Sequence, residues 1–453
     1  MITRRAAVFR PRSIRSLGAF YTNDCHLAGL WLFYGRIPVT ETTEGLYRQH
    51  MIAKTTAANQ RSVGTSIPRA ARLLFAILSK LHHGRLDVVA PRGQLFSFTG
   101  ALPGPVACVE LRNWDVCRDI LSGGDIGFAE AFLDSRWVTS DLTAVLSVVA
   151  LNHFVFEPRW GTRLAYRLHR FMRFKTHGRR RNIHALYNLG NDFYRGWLDR
   201  TMTYSSGLFA GDFSRTLEDA QLAKYDRILR LANPKPGERI LEIGCGWGGF
   251  AEYAARSRGC EVYAISVSRR QIEYAQERIL QAGLSAKVRF ELRDYRDVQG
   301  RFDHVVSIEM YEVVGEGFWP LYFRTICERL APGGKAVVQG IAIADQLFTK
   351  YKRRTDFIRE YIFPGCMLAS PARLREHAQR AGMTIRSMHA FGLDYAETLK
   401  RWNHAFHHAW VELHGMKGLD ARFKRLWDFY LAYCEAGFRA GTTDVLQLEL
   451  SHA

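Results

Sequence analysis

The stretch ILEIGCGWGGFAEYA, residues 240–254, sets an apolar run, three glycines at alternate positions (Gly244, Gly246, Gly248) and an amphipathic segment in succession. The run reads as a strand buried on both faces, the glycines as a tight turn and the remainder as a helix. Glycine has no Cβ, so such a turn lets the backbone approach a ligand at the carboxyl end of a sheet, where open α/β sheets bind nucleotides. The pattern continues on both sides. Helix AKYDRILRLA precedes it; strand EVYAISV, helix RRQIEYAQERILQAG, strands AKVRFELRD and HVVSIEM, helix PLYFRTICERL and strand GKAVVQGIAI follow. Strands alternating with helices of this length predict a mostly parallel sheet covered on both faces.

The spacing narrows the ligand. A dinucleotide loop has the form G-x-G-x-x-G, which sets a pyrophosphate on the helix N-terminus. Here it is G-x-G-x-G with Glu242 just before it. An acid at that place repels a phosphate but pairs with the amino-acid ammonium of S-adenosylmethionine. The second strand ends in ISVSRRQ without an acid for ribose hydroxyls, so Ser266 and Gln271 are the polar substitutes.

With 453 residues and 47% hydrophobic content, the chain exceeds one core and predicts two or more folded domains. Residues 1–65 begin Arg-rich and acid-poor without a secretory apolar core; they read as disordered or as an extension upstream of a start at Met51. Residues 66–155 mix short strands (GQLFSFTG, PVACVELR) with helices, a small α+β pattern. Residues 156–185 form a basic linker in which Arg163, Arg167 and Arg170 share one helical face, opposite most of Leu164, Leu168, Phe171 and Met172. That pattern suits an anionic membrane surface, and a formal charge of +19 points the same way. Residues 186–453 carry the α/β array. No apolar stretch reaches the ~20 residues that span a bilayer. The eight cysteines form no C-x-x-C pair, which argues against a disulfide framework or zinc site and fits a reducing cytoplasm.

At the level of motifs, the chain resembles the cyclopropane-fatty-acyl-phospholipid synthase family, which includes the mycolic acid cyclopropane synthases and related fatty-acid methyltransferases. The resemblance rests on YNLGNDFYRGWLDRTMTYSSGLF (187–209), LEIGCGWGGF (241–250), SIEMYEVVG (307–315), YIFPGCMLAS (361–370) and DYAETLKRW (394–402). GDIGFAEAFLDSRW (124–137) is similar to the small N-terminal domain of the phospholipid-acting members, which the shorter mycolic enzymes lack. The resemblance implies a Rossmann-like class I S-adenosylmethionine-dependent methyltransferase domain behind a small α+β domain. It implies that Tyr204 and Ser205 close over the cofactor with Gly244 and Gly246 beneath, that Ser266, Val267 and Gln271 flank the ribose, and that Asp294 and Tyr295 reach the adenine. In the family a cysteine, a glutamate, a histidine and a tyrosine hold a bicarbonate ion beside the acyl chain. Glu312 and Tyr395 match the glutamate and tyrosine, whereas Ser206 and Gln339 stand at the cysteine and histidine positions.

The implied chemistry explains these residue types. An alkene is a weak nucleophile, so it must be held in line with the sulfonium methyl in a dry slot, and the resulting carbocation must be stabilised by aromatic faces such as Tyr395. A base then removes a proton, giving a cyclopropane if the proton comes from the new methyl and a methyl- or methylene-branched chain if it comes from a neighbouring carbon. The expected substrate is an unsaturated phospholipid acyl chain met at the inner face of the membrane by a cytoplasmic, peripheral enzyme; a homodimer is compatible with this. RNA methylation lacks an aromatic-interleaved basic platform. A lipid-binding protein without catalysis is the rival suggested by Ser206 and Gln339. His404, His407 and His408 have helical spacing without nearby acids in sequence and read as a helix face, so no metal site is expected.

Overall fold

In the computed structural model of the protein, residues 67–156 and 189–453 are described, and both lie in the unit Val63–Ala453. The extension 1–65 and nearly all of the basic linker 156–185 therefore lie outside the described residues.

The first part opens with helix α1 (Arg69–Leu78), then strands β1 (His83–Val89), β2 (Leu95–Thr99) and β3 (Leu102–Leu111), helix α2 (Asp115–Leu133), the short β4 (Trp137–Val138) and helix α3 (Leu142–Leu151). The strands form a four-stranded sheet in the order β2-β1-β3-β4. Strand β1 pairs parallel to β3 and was not anticipated; its alternating burial is the period-two signature of a half-buried strand. Asp141 caps α3 by accepting from the Ala144 amide at 2.8 Å, as helix N-termini require. Helix α2 kinks at Gly124, whose φ of 59° and ψ of −135° only glycine adopts readily.

Next come α4 (Gly190–Arg195), α5 (Leu217–Ala232), β5 (Arg239–Ile243), α6 (Gly249–Arg258), β6 (Glu261–Ser266), α7 (Arg269–Gln281), β7 (Val288–Leu292), β8 (Phe302–Ile308), α8 (Tyr311–Val314), α9 (Trp319–Arg329), β9 (Leu330–Ile343), α10 (Asp345–Lys352), α11 (Pro371–Arg380), β10 (Met383–Ala390), α12 (Gly392–Leu413), α13 (Ala421–Arg439) and β11 (Thr443–His452). The seven-stranded sheet runs β10-β11-β9-β8-β5-β6-β7, with β11 alone reversed. The expected strands and helices from 223 to 343 all appear. The order turns in opposite directions from β5, towards β6 on one side and β8 on the other, so the carboxyl end of β5 is the switch point where ligands bind in such sheets.

The two parts pack through the C-terminal helices. Phe128 and Phe132 of α2 meet Phe429 of α13, Thr143 donates to Glu435 at 3.2 Å, and Tyr361 donates to Glu130. Residues from both parts line one cavity of ≈ 2510 Å³ that reaches from α1 and α3 to the glycine loop.

Candidate active site

The three loop glycines meet three different needs. A Cβ at Gly246 (φ 52°) would enter open space beside the cavity, with no heavy atom within 4 Å. At Gly244 it would strike Met310 Cγ at 2.9 Å, and at Gly248 it would crowd Ala275 Cβ and Phe290 Cζ, both at 3.0 Å. Gly244 and Gly246 line the cavity; Gly248 does not and is required by helix packing. The loop is pinned by the amides of Gly244 and Cys245, which both donate to the Ile265 carbonyl at 3.0 Å.

Glu242 is 2% exposed and lines the cavity, and its Oε2 has no hydrogen-bond partner. Burial raises its carboxyl to about 8, against the pull of Lys224. A buried acid with an unmatched oxygen beside a glycine loop fits the ammonium of an amino-acid ligand, which would supply the missing donor and charge. The Ser266 hydroxyl donates to Gln271 Oε1 at 2.8 Å, which leaves the Gln271 amide nitrogen as a donor for a ribose hydroxyl. Val267 is 75% exposed, and with Tyr295 it lines the cavity. Asp294 does not; its carboxylate is held by both Arg296 Nε at 2.9 Å and Arg296 Nη2 at 2.8 Å.

Tyr204 sits in an aromatic cage with Tyr194, Trp197 and Trp402, and its hydroxyl meets that of Tyr430 at 2.7 Å. The fully buried Lys224 ammonium donates to Ser205 Oγ at 2.6 Å, and burial pulls its pKa down to about 7. Lys224 draws the Glu242 and Glu309 carboxyls back toward ionisation.

The acid that gathers Ser206, Gln339 and Tyr395 is Glu309, a residue the sequence reading passed over. Its Oε1 accepts from the Ser206 amide at 2.9 Å and from Gln339 Nε2 at 2.8 Å; its Oε2 accepts from the Tyr395 hydroxyl at 2.8 Å. Gln447 Nε2 donates to Gln339 Oε1 at 2.8 Å, and Arg227 donates to Gln447 Oε1 at 2.6 Å, so the amide relay turns the Gln339 nitrogen toward the carboxylate. Glu309 holds a positive φ of 50°, a conformation that costs a non-glycine residue roughly 1–2 kcal/mol. Burial pushes its carboxyl upward while Lys224 and the three donors oppose the shift. Glu309 and Tyr395 line the cavity, whereas Ser206 and Gln339, both 0% exposed, stand behind them.

Glu312 lines the same cavity but shares no hydrogen bond with Glu309, Ser206, Gln339 or Tyr395. Its Oε1 accepts from the Ile341 amide at 2.5 Å, its Oε2 is buried without a partner, and burial raises it to about 8 with Glu309 adding to the shift. Tyr395 stacks on Phe438 at 4.6 Å, an aromatic surface able to face a cation. His407 pairs with Asp428 at 2.8 Å on the surface, and no metal-ligating group of three side chains occurs among the described residues. Burial lifts the Cys245 thiol well above its ordinary value, which makes it a packing residue and a poor nucleophile.

A family model described as mycolic acid cyclopropane synthetase matches residues 174–448. The chain belongs to that family. Relatives similar to it include the tuberculostearic acid methyltransferase UfaA1 of Mycobacterium tuberculosis, 36% identical over 360 residues, covering 74% of this chain and 81% of the relative. The cyclopropane-fatty-acyl-phospholipid synthase of Escherichia coli is 31% identical over 358 residues, covering 76% of this chain and 88% of the relative. Among solved structures, the cyclopropane synthase MmaA2 of Mycobacterium tuberculosis is similar with a TM-score of 0.55 and 28% identity, over 60% of this chain and 97% of that one. The mycolic acid cyclopropane synthase CmaA1, solved with S-adenosylhomocysteine, gives a TM-score of 0.54 at 27% identity, over 59% and 96% of the two chains. The fold is that of the S-adenosylmethionine-dependent methyltransferases. The enzyme is such a methyltransferase, and it modifies lipid acyl chains.

Proposed function

We propose that the protein transfers the methyl group of S-adenosylmethionine to the cis double bond of an unsaturated acyl chain in a membrane phospholipid, giving a cyclopropane. The observation that carries this reading is one apolar-walled cavity that joins the orphaned Glu242 oxygen and the open side of Gly246 to a cation-facing aromatic wall with a carboxylate in it. When bound, S-adenosylmethionine supplies an electrophilic methyl. The chain's own residues do the rest. Glu242 fixes the ammonium end, Ser266 and Gln271 orient the sugar, and Tyr204 with Tyr430 walls the site from water. Leu86, Val109, Val145 and Val149 of the first part extend the apolar wall, which suits a long acyl chain. Tyr395 and Phe438 face the developing cation, and a neighbouring base removes the proton.

A second reading, a methyl- or methylene-branched product, is favoured by the 36% identity to a tuberculostearic acid methyltransferase. Transfer of radiolabelled methyl to monounsaturated phospholipid vesicles, with total RNA as the alternative acceptor, tests the substrate class. Label in lipid is expected; label in RNA alone would refute the reading.

Peripheral attachment to an anionic membrane at its inner face is part of this proposal. It is supported by the acid-free basic stretch from Pro158 to Asn191, and no helix among the described residues is long and apolar enough to cross a membrane. Each basic residue near such a surface contributes ~1 kcal/mol. Replacing Arg179, Arg180 and Arg181 by Ser should therefore weaken vesicle sedimentation on the order of 10²-fold, and binding indifferent to both salt and these changes would remove the membrane from the account.

A further inference from the structure

We infer that Glu309 is this enzyme's own proton acceptor, a side-chain carboxylate occupying the cradle in which the family resemblance places a bicarbonate ion. The inference rests on the proposed methyl transfer to an alkene. The donors named for an ion by that resemblance, at positions 206, 339 and 395, are all present, and all three are spent on the Glu309 carboxylate. A free bicarbonate there would have to displace a covalently attached anion of the same shape and sign. The residues therefore do not fit the ion.

Three further observations agree. The Gln339 amide is oriented by Gln447 and Arg227 so that its nitrogen, rather than its oxygen, meets the carboxylate. Glu309 and Tyr395 line the cavity while Ser206 and Gln339 do not, so within the cluster the carboxylate and the tyrosine are the groups that face the substrate. The backbone accepts a positive φ at Glu309, and strain of that kind is maintained where a side chain must point to one place.

The step balances within the chain and its substrate. Once the acyl chain has accepted the methyl, one former alkene carbon is a carbocation. Glu309 takes a proton from the new methyl, and the electron pair of the broken C–H bond closes the ring onto the cationic carbon. The carboxylate becomes a neutral acid and the acyl chain loses its charge. Tyr395, hydrogen-bonded to Glu309 Oε2, also aligns the base with the aromatic wall; Ser206 and Gln339 are positioning residues.

The test compares the full-length enzyme with Glu309→Gln and Glu309→Gly. Glycine suits a positive φ, so the second variant relieves the backbone rather than straining it. Glu309→Gln is expected to lower turnover ~10²- to 10⁴-fold, the usual contribution of a positioned base, with S-adenosylmethionine affinity by calorimetry unchanged. Wild-type turnover is expected to be the same in buffer stripped of carbon dioxide and in added bicarbonate. In Glu309→Gly, bicarbonate is expected to raise the melting temperature and broaden the ¹³C resonance of the labelled ion, with partial return of activity; neither binding signal is expected in wild type. Wild-type dependence on bicarbonate, or a Glu309→Gln enzyme within ~3-fold of wild type, would overturn the inference. A wild-type enzyme that methylates no lipid would instead defeat the proposed substrate, and the bicarbonate-binding comparison would still decide how the cradle is filled.

Discussion

Around the glycine loop, polar groups are buried with capacity to spare: Glu242 Oε2 has no partner, the Gln271 amide nitrogen is a ready donor, and Gly246 borders open space. Across the same cavity, around Glu309, every donor already has its acceptor. Both regions hold a glutamate in the cavity wall, and Lys224 draws both toward ionisation. They differ in what completes them. The cofactor half is completed by a ligand and the reaction half by the protein itself, so the first should be sensitive to occupancy and the second to substitution.

Beyond the loss expected of Glu309→Gln, the largest effect expected from this contrast is at Gly246. A Cβ there meets no heavy atom within 4 Å, so Gly246→Val should cost ligand, with some stability lost as well because a φ of 52° strains a branched residue. Overpacking of this kind is worth up to ~3 kcal/mol, or ~10²-fold in S-adenosylmethionine affinity by calorimetry, with circular dichroism retained. Unchanged affinity would break the comparison on its cofactor side.

An intermediate effect is expected from pH. Glu242 is held at about 8 by burial, so at neutral pH it carries a proton that an incoming ammonium must expel. Binding should release protons at pH 7, visible as a buffer-dependent calorimetric enthalpy, and affinity should rise roughly 50-fold between pH 6 and 8 and level off above about pH 9. Binding without proton release would mean that Glu242 is not the ammonium's partner.

The smallest effect is expected at Glu312. Its carboxyl, raised to about 8, is neutral at pH 7, and a glutamine can keep the acceptor that holds the Ile341 amide. Glu312→Gln should therefore change turnover by less than ~3-fold, about 0.7 kcal/mol or less. For an acid whose folded value lies above its unfolded one, the cost of burial is absent at low pH and grows as pH rises through the window up to about 8. The variant should match wild type in melting temperature near pH 5 and exceed it near pH 9. A collapse of turnover would make Glu312, rather than Glu309, the carboxylate that matters.

The legibility of the chain follows the same division. The parallel strands and their helices could be read because burial on both faces writes continuous apolar runs, and the glycine loop because a turn at positive φ restricts residue choice. The antiparallel β10 and β11 were not anticipated, although β11 brings Gln447 opposite Gln339 in register. In the reaction half, Glu309 meets residues 103, 30 and 86 positions away, drawn from a loop, β9 and α12. Local pattern does not record such a convergence. SIEMYE offers two acids, and only the backbone turn after β8 decides that Glu309, rather than Glu312, faces the cluster.

The most direct measurement is the fate of a trideuterated methyl group. Purified enzyme, S-adenosylmethionine labelled with three deuteriums on its methyl, and vesicles of a monounsaturated phospholipid would be incubated and the acyl chains weighed by mass spectrometry. The account predicts a ring-bearing chain that keeps two of the three deuteriums, the third having passed to Glu309. A chain that keeps all three would place proton removal on a neighbouring carbon, and a chain that gains none would contradict methyl transfer to lipid altogether.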